Sequence, residues 1–310
     1  MNRRKKCLVL NNREPFPEKI LDELSDSLEV IWYQNALPFN LAEVFQTYSD
    51  TQILVTTYMD LQAANLQILP ELEAIITLTT AVEYVDIDYC RDRNIRVMNT
   101  SNYAGEAVAE HAIALALCVA RKIVTLDTKV RQKDFKCFED VGIELSGKQA
   151  GIIGLGKIGT RVATIAKGFG MDVVYVNRSQ KSFDGGKQVD LETLLATSDF
   201  IFVTVPLNAG TRGAIGREEF AMMKSNAILI NTSPDSIIDV KAMAEALENQ
   251  KIWGAGIDLI GTDESYLQIP NLIITPRHAN ATKECTARRI ATWTGTLASY
   301  LDDQPKNVIV

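Results

Sequence analysis

Three glycines in the segment GIIGLGKIG, residues 151–159, have the spacing that binds the pyrophosphate of a dinucleotide. Gly154 permits a tight turn, Gly156 lets backbone N–H groups approach a phosphate, and Gly159 lets the following helix pack closely on the preceding strand. The N-terminus of that helix presents its unpaired N–H groups to the phosphates. The pattern therefore predicts a dinucleotide site, with a plain glycine turn as the alternative.

Strand and helix patterns surround the three glycines in the order that such a site requires. An apolar strand is predicted over residues 149–155, and a helix follows with apolar side chains at Ile158, Val162 and Ile165. A second strand begins at Val173. This order of strand, turn, helix and strand distinguishes the segment from a chance match.

The end of the second predicted strand indicates which dinucleotide binds. A carboxylate there accepts hydrogen bonds from the adenosine ribose and repels a 2′-phosphate. This chain carries Asn177, Arg178 and Ser179 instead. Because a guanidinium pairs well with a phosphate, the sequence predicts NADP(H) in preference to NAD(H). A solvated loop arginine is the alternative.

Length, charge and composition restrict the class of protein. The chain has 310 residues, 46% of them hydrophobic, which suits two packed domains. Its net charge is −7 and no basic stripe follows residues 2–6, so nucleic acid is not an expected partner. No signal peptide or membrane span is expected, which favours the cytoplasm. Five scattered cysteines and two histidines predict neither a metal site nor a disulfide framework.

The rest of the chain alternates predicted strands and helices, as in a parallel α/β protein. The predicted strands lie at residues 7–10, 28–32, 53–56, 74–78, 96–98, 200–205, 227–230, 254–258 and 272–275. The predicted helices lie at residues 17–27, 40–49, 61–66, 105 to about 130, and 282–301. The helix from residue 105 is apolar over much of its circumference, which favours burial between domains or against a second subunit, so we expect a homodimer. We interpret His111 on this helix as a packing residue.

Several segments together resemble the D-isomer-specific 2-hydroxyacid dehydrogenases. They are AVAEHAIAL, LSGKQAGIIGLGKIG, VPLNAGT, KSNAILINTS, GAGIDL, NLIITP and PKNVIV, and they span nearly the whole chain. The resemblance implies a Rossmann domain at residues 101–282. It also implies a flavodoxin-like substrate domain at residues 1–100 and 283–310, and hydride transfer between a nicotinamide and a 2-keto or D-2-hydroxy acid.

The resemblance also implies particular cofactor contacts. It assigns Lys157 and Ile158 to the pyrophosphate, and Val205 and Pro206 to the adenosine side, in a loop that ends at Thr211. It assigns Asp258 to the nicotinamide carboxamide, for which the alternative is a strand-end aspartate that caps a turn.

The catalytic Arg, Glu and His of the family are all replaced in this chain. By the resemblance, the Arg-Gly pair of the family corresponds to Pro234 and Asp235, and the Glu to Asp263. Without a gap in the alignment the His corresponds to Arg277, whereas a shift of one residue would bring His278 into the site. We expect Arg277 to stabilise the developing alkoxide with Asp263 orienting it. Because arginine is a poor proton donor, His278, a tyrosine or water would supply the proton. A structural ion pair of Arg277 with Asp263 and a structural role for His278 are the alternatives.

A glycine-rich loop that usually binds the substrate carboxylate in this family is replaced by Thr79, Thr80 and Ala81. The threonine hydroxyls add donors and acceptors but narrow the space beside the backbone. We expect these residues to contact the substrate together with Tyr58 and Arg277, and a small 2-keto acid to fit poorly.

Three functions follow from these patterns. The first is an NADP(H)-dependent oxidoreductase acting on a carbonyl, imine or 2-hydroxy acid type of substrate. The second is an enzyme that retains the cofactor for non-redox chemistry or internal hydride recycling. The third is a catalytically inactive NADP(H)-sensing or partner-binding protein.

Overall fold

The computed structural model describes residues 4–10, 26–33, 40–136, 139–259, 266 and 268–310. Two compact units make up the chain. One comprises Met1–Ala104 with Lys283–Val310, and the other comprises Gly105–Thr282. Most of the helix predicted at residues 17–27, together with Asp263, lies outside the described residues.

The first unit contains a five-stranded parallel sheet. Its strands are β1 (Lys5–Leu10), β2 (Leu28–Tyr33), β3 (Ile53–Thr56), β4 (Ala74–Thr77) and β5 (Arg96–Met98). Its first helices are α1 (Leu41–Thr47), α2 (Ala63–Leu66) and α3 (Ile87–Asp92). The strand order is β2-β1-β3-β4-β5, which is the flavodoxin order. The helix predicted from residue 61 begins at Ala63, because Leu61 forms a parallel β-bridge with Val85 instead.

The second unit contains a seven-stranded parallel sheet. Its strands are β6 (Gln149–Ile153), β7 (Asp172–Val176), β8 (Gly186–Gln188), β9 (Phe200–Val203), β10 (Ile228–Asn231), β11 (Gly254–Asp258) and β12 (Leu272–Thr275). Its helices are α4 (Gly105–Ala120), α5 (Ile123–Arg131), α6 (Lys157–Gly168), α7 (Leu191–Thr197), α8 (Arg217–Met222) and α9 (Val240–Glu248). The strand order β12-β11-β10-β9-β6-β7-β8 is that of a doubly wound Rossmann sheet. Because helices cover both faces of such a sheet, its central strands are buried at every position, as in FIFV of β9.

The last helix, α10 (Lys283–Leu301), belongs to the first unit. Its Trp293 and Leu297 join the apolar cluster on one face of the five-stranded sheet. The chain then ends beside β5, where the backbone N–H of Val97 donates to the carbonyl of Val310 at 2.9 Å. The predicted α/β class, with a Rossmann and a flavodoxin-like sheet, is confirmed.

The long helix predicted from residue 105 to about 130 is wrong as a single element. The carbonyl oxygen of Ala120, which a continuing helix would pair with Val124, accepts a hydrogen bond from the N–H of Ile143 at 2.8 Å. Lys122 follows in the left-handed region with φ of 52°, which ends the helix. The apolar surface of α4 packs against α6 and strands β10–β12 of its own unit, whereas α5 buries none of its side chains.

Candidate active site

The turn between β6 and α6 has the steric requirements that the sequence predicts. Gly154 has φ of +97°, and a Cβ there would lie 2.5 Å from Cγ1 of Val205. A Cβ on Gly159 would clash with the carbonyl oxygen of Gly154 and lie 2.7 Å from Oγ1 of Thr204. Gly156 is the N-cap of α6 and faces open space. The open space at the helix N-terminus fits a pyrophosphate.

This turn lies at the point where the chain reverses direction across the sheet. Strands β6 and β9 are neighbours, and they connect to their next strands on opposite sides. Oγ1 of Thr204, directly after β9, donates to the carbonyl oxygen of Gly154 at 2.8 Å. The loop that follows is closed by Thr211, whose hydroxyl donates to the carbonyl oxygen of Pro206 at 2.7 Å. Val205 therefore lies next to the glycine turn, and Pro206 and Thr211 lie in the loop that follows Val205.

Polar residues follow β7 where an adenosine ribose binds in this fold. Nδ2 of Asn177 donates to the backbone oxygen and hydroxyl of Ser179 at 2.9 and 3.1 Å. Arg178 is exposed. The Nζ of Lys181 donates to the carbonyl oxygen of Leu155 at 2.8 Å, which holds a second cation beside the glycine turn. Lys181 was not among the residues predicted from the sequence, although its spacing of three residues from Arg178 was a readable signal.

Asp258, at the end of β11, holds the turn after β12. Its side chain is buried, with 4% exposed. Its Oδ1 accepts from the backbone N–H of His278 at 2.7 Å and from the hydroxyl of Thr275 at 2.5 Å. Its Oδ2 accepts from the N–H of Ala279 at 2.9 Å. Asp258 therefore caps a turn, which the sequence analysis gave as the alternative to a contact with the nicotinamide carboxamide.

The turn held by Asp258 presents Arg277. Arg277 adopts a left-handed conformation with φ of 54°, and both it and His278 are exposed. Asp263, its predicted partner, lies outside the described residues. The structure therefore brings Asp258, Arg277 and His278 together at the end of β12.

His111 on α4 reaches the same cluster. Its Nε2 lies 2.9 Å from Oγ1 of Thr275 and 3.9 Å from Oδ1 of Asp258. Burial lowers the pKa of His111 and nearby His278 lowers it further, while Asp258 opposes the shift. The interpretation of His111 as a packing residue is incomplete, because its imidazole is part of a polar network.

The predicted substrate loop lies in the first unit, where its hydroxyls are already used. Oγ1 of Thr79 donates to the carbonyl oxygen of Ala81 at 2.7 Å and contacts the hydroxyl of Tyr84 at 2.6 Å. Oγ1 of Thr80 donates to the carbonyl oxygen of Thr100 at 3.1 Å. The expected extra donors are therefore committed to holding the loop.

Two tyrosines lie beside this loop. The rings of Tyr58 and Tyr84 are 5.4 Å apart, and Tyr58 is 52% exposed with φ of 34°. Burial raises the pKa of Tyr84. Because the single proton of the Thr79 hydroxyl goes to Ala81, the hydroxyl of Tyr84 must be the donor to Thr79.

Other site types find no support in the described part of the chain. No group of three or more His, Cys, Asp or Glu residues is placed to hold a metal ion there. Cys7, Cys90, Cys118 and Cys285 are free thiols. Among the helices described, none is long and apolar enough to cross a membrane.

Comparison with known proteins connects this geometry to a family. The sequence model of "D-isomer specific 2-hydroxyacid dehydrogenase, NAD binding domain" matches residues 113–279. A glyoxylate reductase of Thermococcus litoralis is 38% identical over 246 residues, covering 74% of each chain. A glyoxylate reductase of Korarchaeum cryptofilum is 32% identical over 286 residues, covering 88% of this chain and 86% of the relative.

A solved structure is similar over the full length. An acyclic imino acid reductase in complex with NADPH and D-Arg superposes with a TM-score of 0.90, is 29% identical, and covers 98% of this chain and all of its own. Together with the glycine turn at the crossover of a Rossmann sheet, these matches show that the chain belongs to the D-isomer-specific 2-hydroxyacid dehydrogenase family and is an NAD(P)-dependent oxidoreductase.

Proposed function

We propose that this protein is an NADP(H)-dependent reductase whose active site departs from the usual pattern of its family. When bound, the nicotinamide supplies or accepts a hydride. The observation that carries the cofactor preference is the pair of cations beside the adenosine end of the glycine turn. Arg178 is exposed after β7, and the ammonium of Lys181 is held at the carbonyl of Leu155.

These two cations favour a 2′-phosphate over a 2′-hydroxyl. A guanidinium and an ammonium each form charge-assisted hydrogen bonds with phosphate oxygens. Residues 177–179 include no carboxylate that would repel the phosphate. The glycine turn, Lys157 and Ile158 would hold the pyrophosphate, Val205, Pro206 and Thr211 the adenosine side, and Asp258 the carboxamide.

Arg277 is the proposed electrostatic anchor of the reaction. A carbonyl that accepts a hydride develops negative charge on oxygen, and a fixed cation stabilises that charge in the transition state. The Asp258-capped turn fixes the backbone on which Arg277 stands. Asp263 is the proposed second anchor of the guanidinium, and His278 the proposed proton donor.

In the other unit, Thr79, Thr80, Ala81 and Tyr58 are the proposed substrate contacts. The hydroxyls of both threonines are bonded within the loop. Backbone N–H groups of Thr80 and Ala81 find no acceptor among the described residues. These N–H groups are the loop's means of binding a carboxylate.

An imine is the second substrate class that the site favours. When an iminium ion accepts a hydride at carbon, the π electrons of its C=N bond pass to nitrogen and the positive charge is neutralised. No proton is therefore needed from the protein at that step. Such a reaction suits a site in which arginine replaces the proton-donating histidine. Pro234 stands where the family's arginine is expected, so the guanidinium that would clamp a substrate carboxylate is absent. A structural neighbour is an imino acid reductase in complex with NADPH, which supports this class.

We also propose that two copies of the chain associate through α5. This helix buries no side chain, and Ile123, Val124 and Val130 are each about half exposed, at 48%, 50% and 47%. Phe135 and Val141, later in the chain, are 67% and 68% exposed. Apolar area of this kind on one segment is typical of a protein interface.

One assay tests the proposed function. Purified protein is titrated with NADPH and NADH, and the preferred cofactor is then offered glyoxylate, a larger 2-keto acid, and a 2-keto acid with excess amine to form the imine. The proposal expects tighter NADPH binding and its oxidation with at least one substrate. Tight binding without oxidation would contradict it and favour non-redox chemistry or a sensing role.

A further inference from the structure

Helix α4 and strand β11 run antiparallel in a register that brings His111 to the end of the strand. Residues four apart on a helix rise about 6 Å, close to the roughly 6.6 Å between residues two apart on a strand. A Cβ on Gly254 would lie 2.6 Å from Cγ1 of Val119, and a Cβ on Gly256 would lie 2.9 Å from Cβ of Leu115. Four residues before Leu115 on the helix and two residues after Gly256 on the strand, Nε2 of His111 lies 3.9 Å from Oδ1 of Asp258.

The hydrogens between these side chains can be assigned. Thr275 has one hydroxyl proton, and it is donated to the carboxylate of Asp258 at 2.5 Å. The contact of 2.9 Å between Oγ1 of Thr275 and Nε2 of His111 therefore needs a proton on the imidazole nitrogen. His111 is thus the donor at the start of a chain that continues through Thr275 to Asp258.

The far end of this chain is the turn that carries Arg277. The two oxygens of Asp258 accept the backbone N–H groups of His278 and Ala279 at 2.7 and 2.9 Å. Arg277 lies just before these bonds in a left-handed conformation, which is unfavourable for a residue other than glycine. A conformation of this kind persists only where the surroundings hold it.

We propose that His111, acting through Thr275 and Asp258, is a positioning residue that fixes the active-site turn bearing Arg277 and His278. This inference rests on the proposed function for the role of Arg277, but the position of the turn is a separate claim. The role assigned to His111 and Thr275 is exerted through Asp258 and its bonds to the turn.

The charges around His111 favour this role. Asp258 and His278 are the titratable groups that shift its protonation, the first favouring and the second disfavouring the imidazolium. Burial is the largest effect and, together with His278, outweighs Asp258, so the pKa of His111 is lowered. Neutral imidazole with the proton on Nε2 satisfies Thr275 without adding a buried charge.

The first test measures the turn itself, by amide hydrogen exchange in the full-length protein without substrate. Thr275→Val removes the hydroxyl, and His111→Leu removes the donor. Each is expected to increase exchange at His278 and Ala279 by about tenfold or more, because their hydrogen bonds to Asp258 lose support. Thr275→Ser and His111→Gln, which retain the hydrogen-bonding group, are expected to restore protection. Thr197→Val deletes another threonine hydroxyl of the same unit and serves as the control.

The second test separates positioning from general stability. Thr275→Val and His111→Leu are expected to lower kcat by about tenfold while the Kd of NADPH changes by less than about threefold. The double variant is expected to be no worse than either single variant, because both break one chain.

Unchanged exchange at His278 and Ala279 in both variants would overturn the inference. Loss of protection throughout the second unit, with loss of NADPH binding, would also overturn it in favour of a purely structural role. If the increased exchange is confined to the turn, but the unmodified protein oxidises NADPH with none of the substrates offered, the positioning role is supported while the proposed function is contradicted.

Discussion

The ammonium of Lys181 donates a hydrogen bond to the carbonyl oxygen of Leu155, 2.8 Å away and inside the glycine turn. This bond brings a residue from the loop after β7 back to the loop after β6. A cation is thereby held at the glycine turn, where we propose that it faces the 2′-phosphate of NADP(H).

Lys181→Met is expected to weaken NADPH binding by about tenfold or more, since a hydrogen bond to a charged group contributes roughly 1.5–3 kcal/mol. Arg178→Ala is expected to act in the same direction. NADH binding should change by less than about threefold, because NADH has no 2′-phosphate. Fluorescence titration with each cofactor gives the ratio of the Kd of NADPH to the Kd of NADH. Lys187→Ala, an exposed lysine on β8, is the matched control. Equal weakening of NADPH and NADH by Lys181→Met would show that the lysine supports the turn and not the phosphate.

Two glycine substitutions should separate packing from cofactor binding. Gly159→Ala is expected to lower the free energy of unfolding by roughly 1–3 kcal/mol, because its methyl group meets the Gly154 carbonyl. Gly156→Ala faces open space, so stability should change little while cofactor binding falls. Gly168→Ala, at the end of the same helix with nothing near its added Cβ, is expected to be neutral or stabilising by roughly 0.5–1 kcal/mol. Thermal unfolding and NADPH titration measure the two effects. A Gly156→Ala protein that binds NADPH normally would contradict the assignment of this position.

The elements found from the sequence are those whose signals are local. Apolar runs predicted β9 and β10, and the glycine spacing predicted the turn before α6, because each pattern lies within one segment. The end of α4 escaped prediction because it depends on Ile143, which takes the carbonyl of Ala120, and on a left-handed lysine.

The site residues follow the same division. Asn177 and Arg178 could be counted from the glycine turn, whereas the partner of His111 lies 164 residues away in sequence at Thr275. A histidine on an apolar helix looks like packing until the register of α4 on β11 is known. The register is visible in the sequence as two spacings: every fourth residue on the helix (His111, Leu115 and Val119) and every second residue on the strand (Gly254 and Gly256). Only the fold shows that these two sets of residues face each other.

Removing the charge of Arg277 should affect turnover more than binding. Arg277→Asn deletes the guanidinium while tolerating the left-handed backbone, which alanine does less well. A fall in kcat of about a hundredfold or more is expected, since one transition-state contact contributes about 3 kcal/mol. Arg277→Lys should retain part of the activity because its charge remains. Steady-state kinetics with NADPH checks both, and Arg212→Asn, another arginine of the same unit, is the control. Full turnover by Arg277→Asn would remove Arg277 from the mechanism.

The lowered pKa of His111 makes stability depend on pH. Its folded pKa lies below the ordinary value of 6.5 because of burial and His278, so below about pH 6.5 the unfolded chain binds more protons at this position. The contribution of neutral His111 is therefore complete above about pH 6.5 and is lost as the pH falls through the folded pKa. His111→Gln should reduce the decrease in the free energy of unfolding between neutral pH and pH 5, measured by urea unfolding. Identical pH profiles for the two proteins would contradict the shift.

Charges placed on α5 should separate the proposed dimer. Val124 and Val130 are about half exposed on a helix that buries none of its residues, and a partner of standard size would cover roughly 800 Å² on each chain. The double variant Val124→Glu with Val130→Glu would bury two unpaired charges in such an interface, so a mass of one chain is expected where the unmodified protein has the mass of two. Light scattering after size exclusion measures the mass. Met222→Glu, a methionine 40% exposed on α8, is the control and should leave the mass unchanged. A double variant that keeps the mass of two chains would place the interface on another surface.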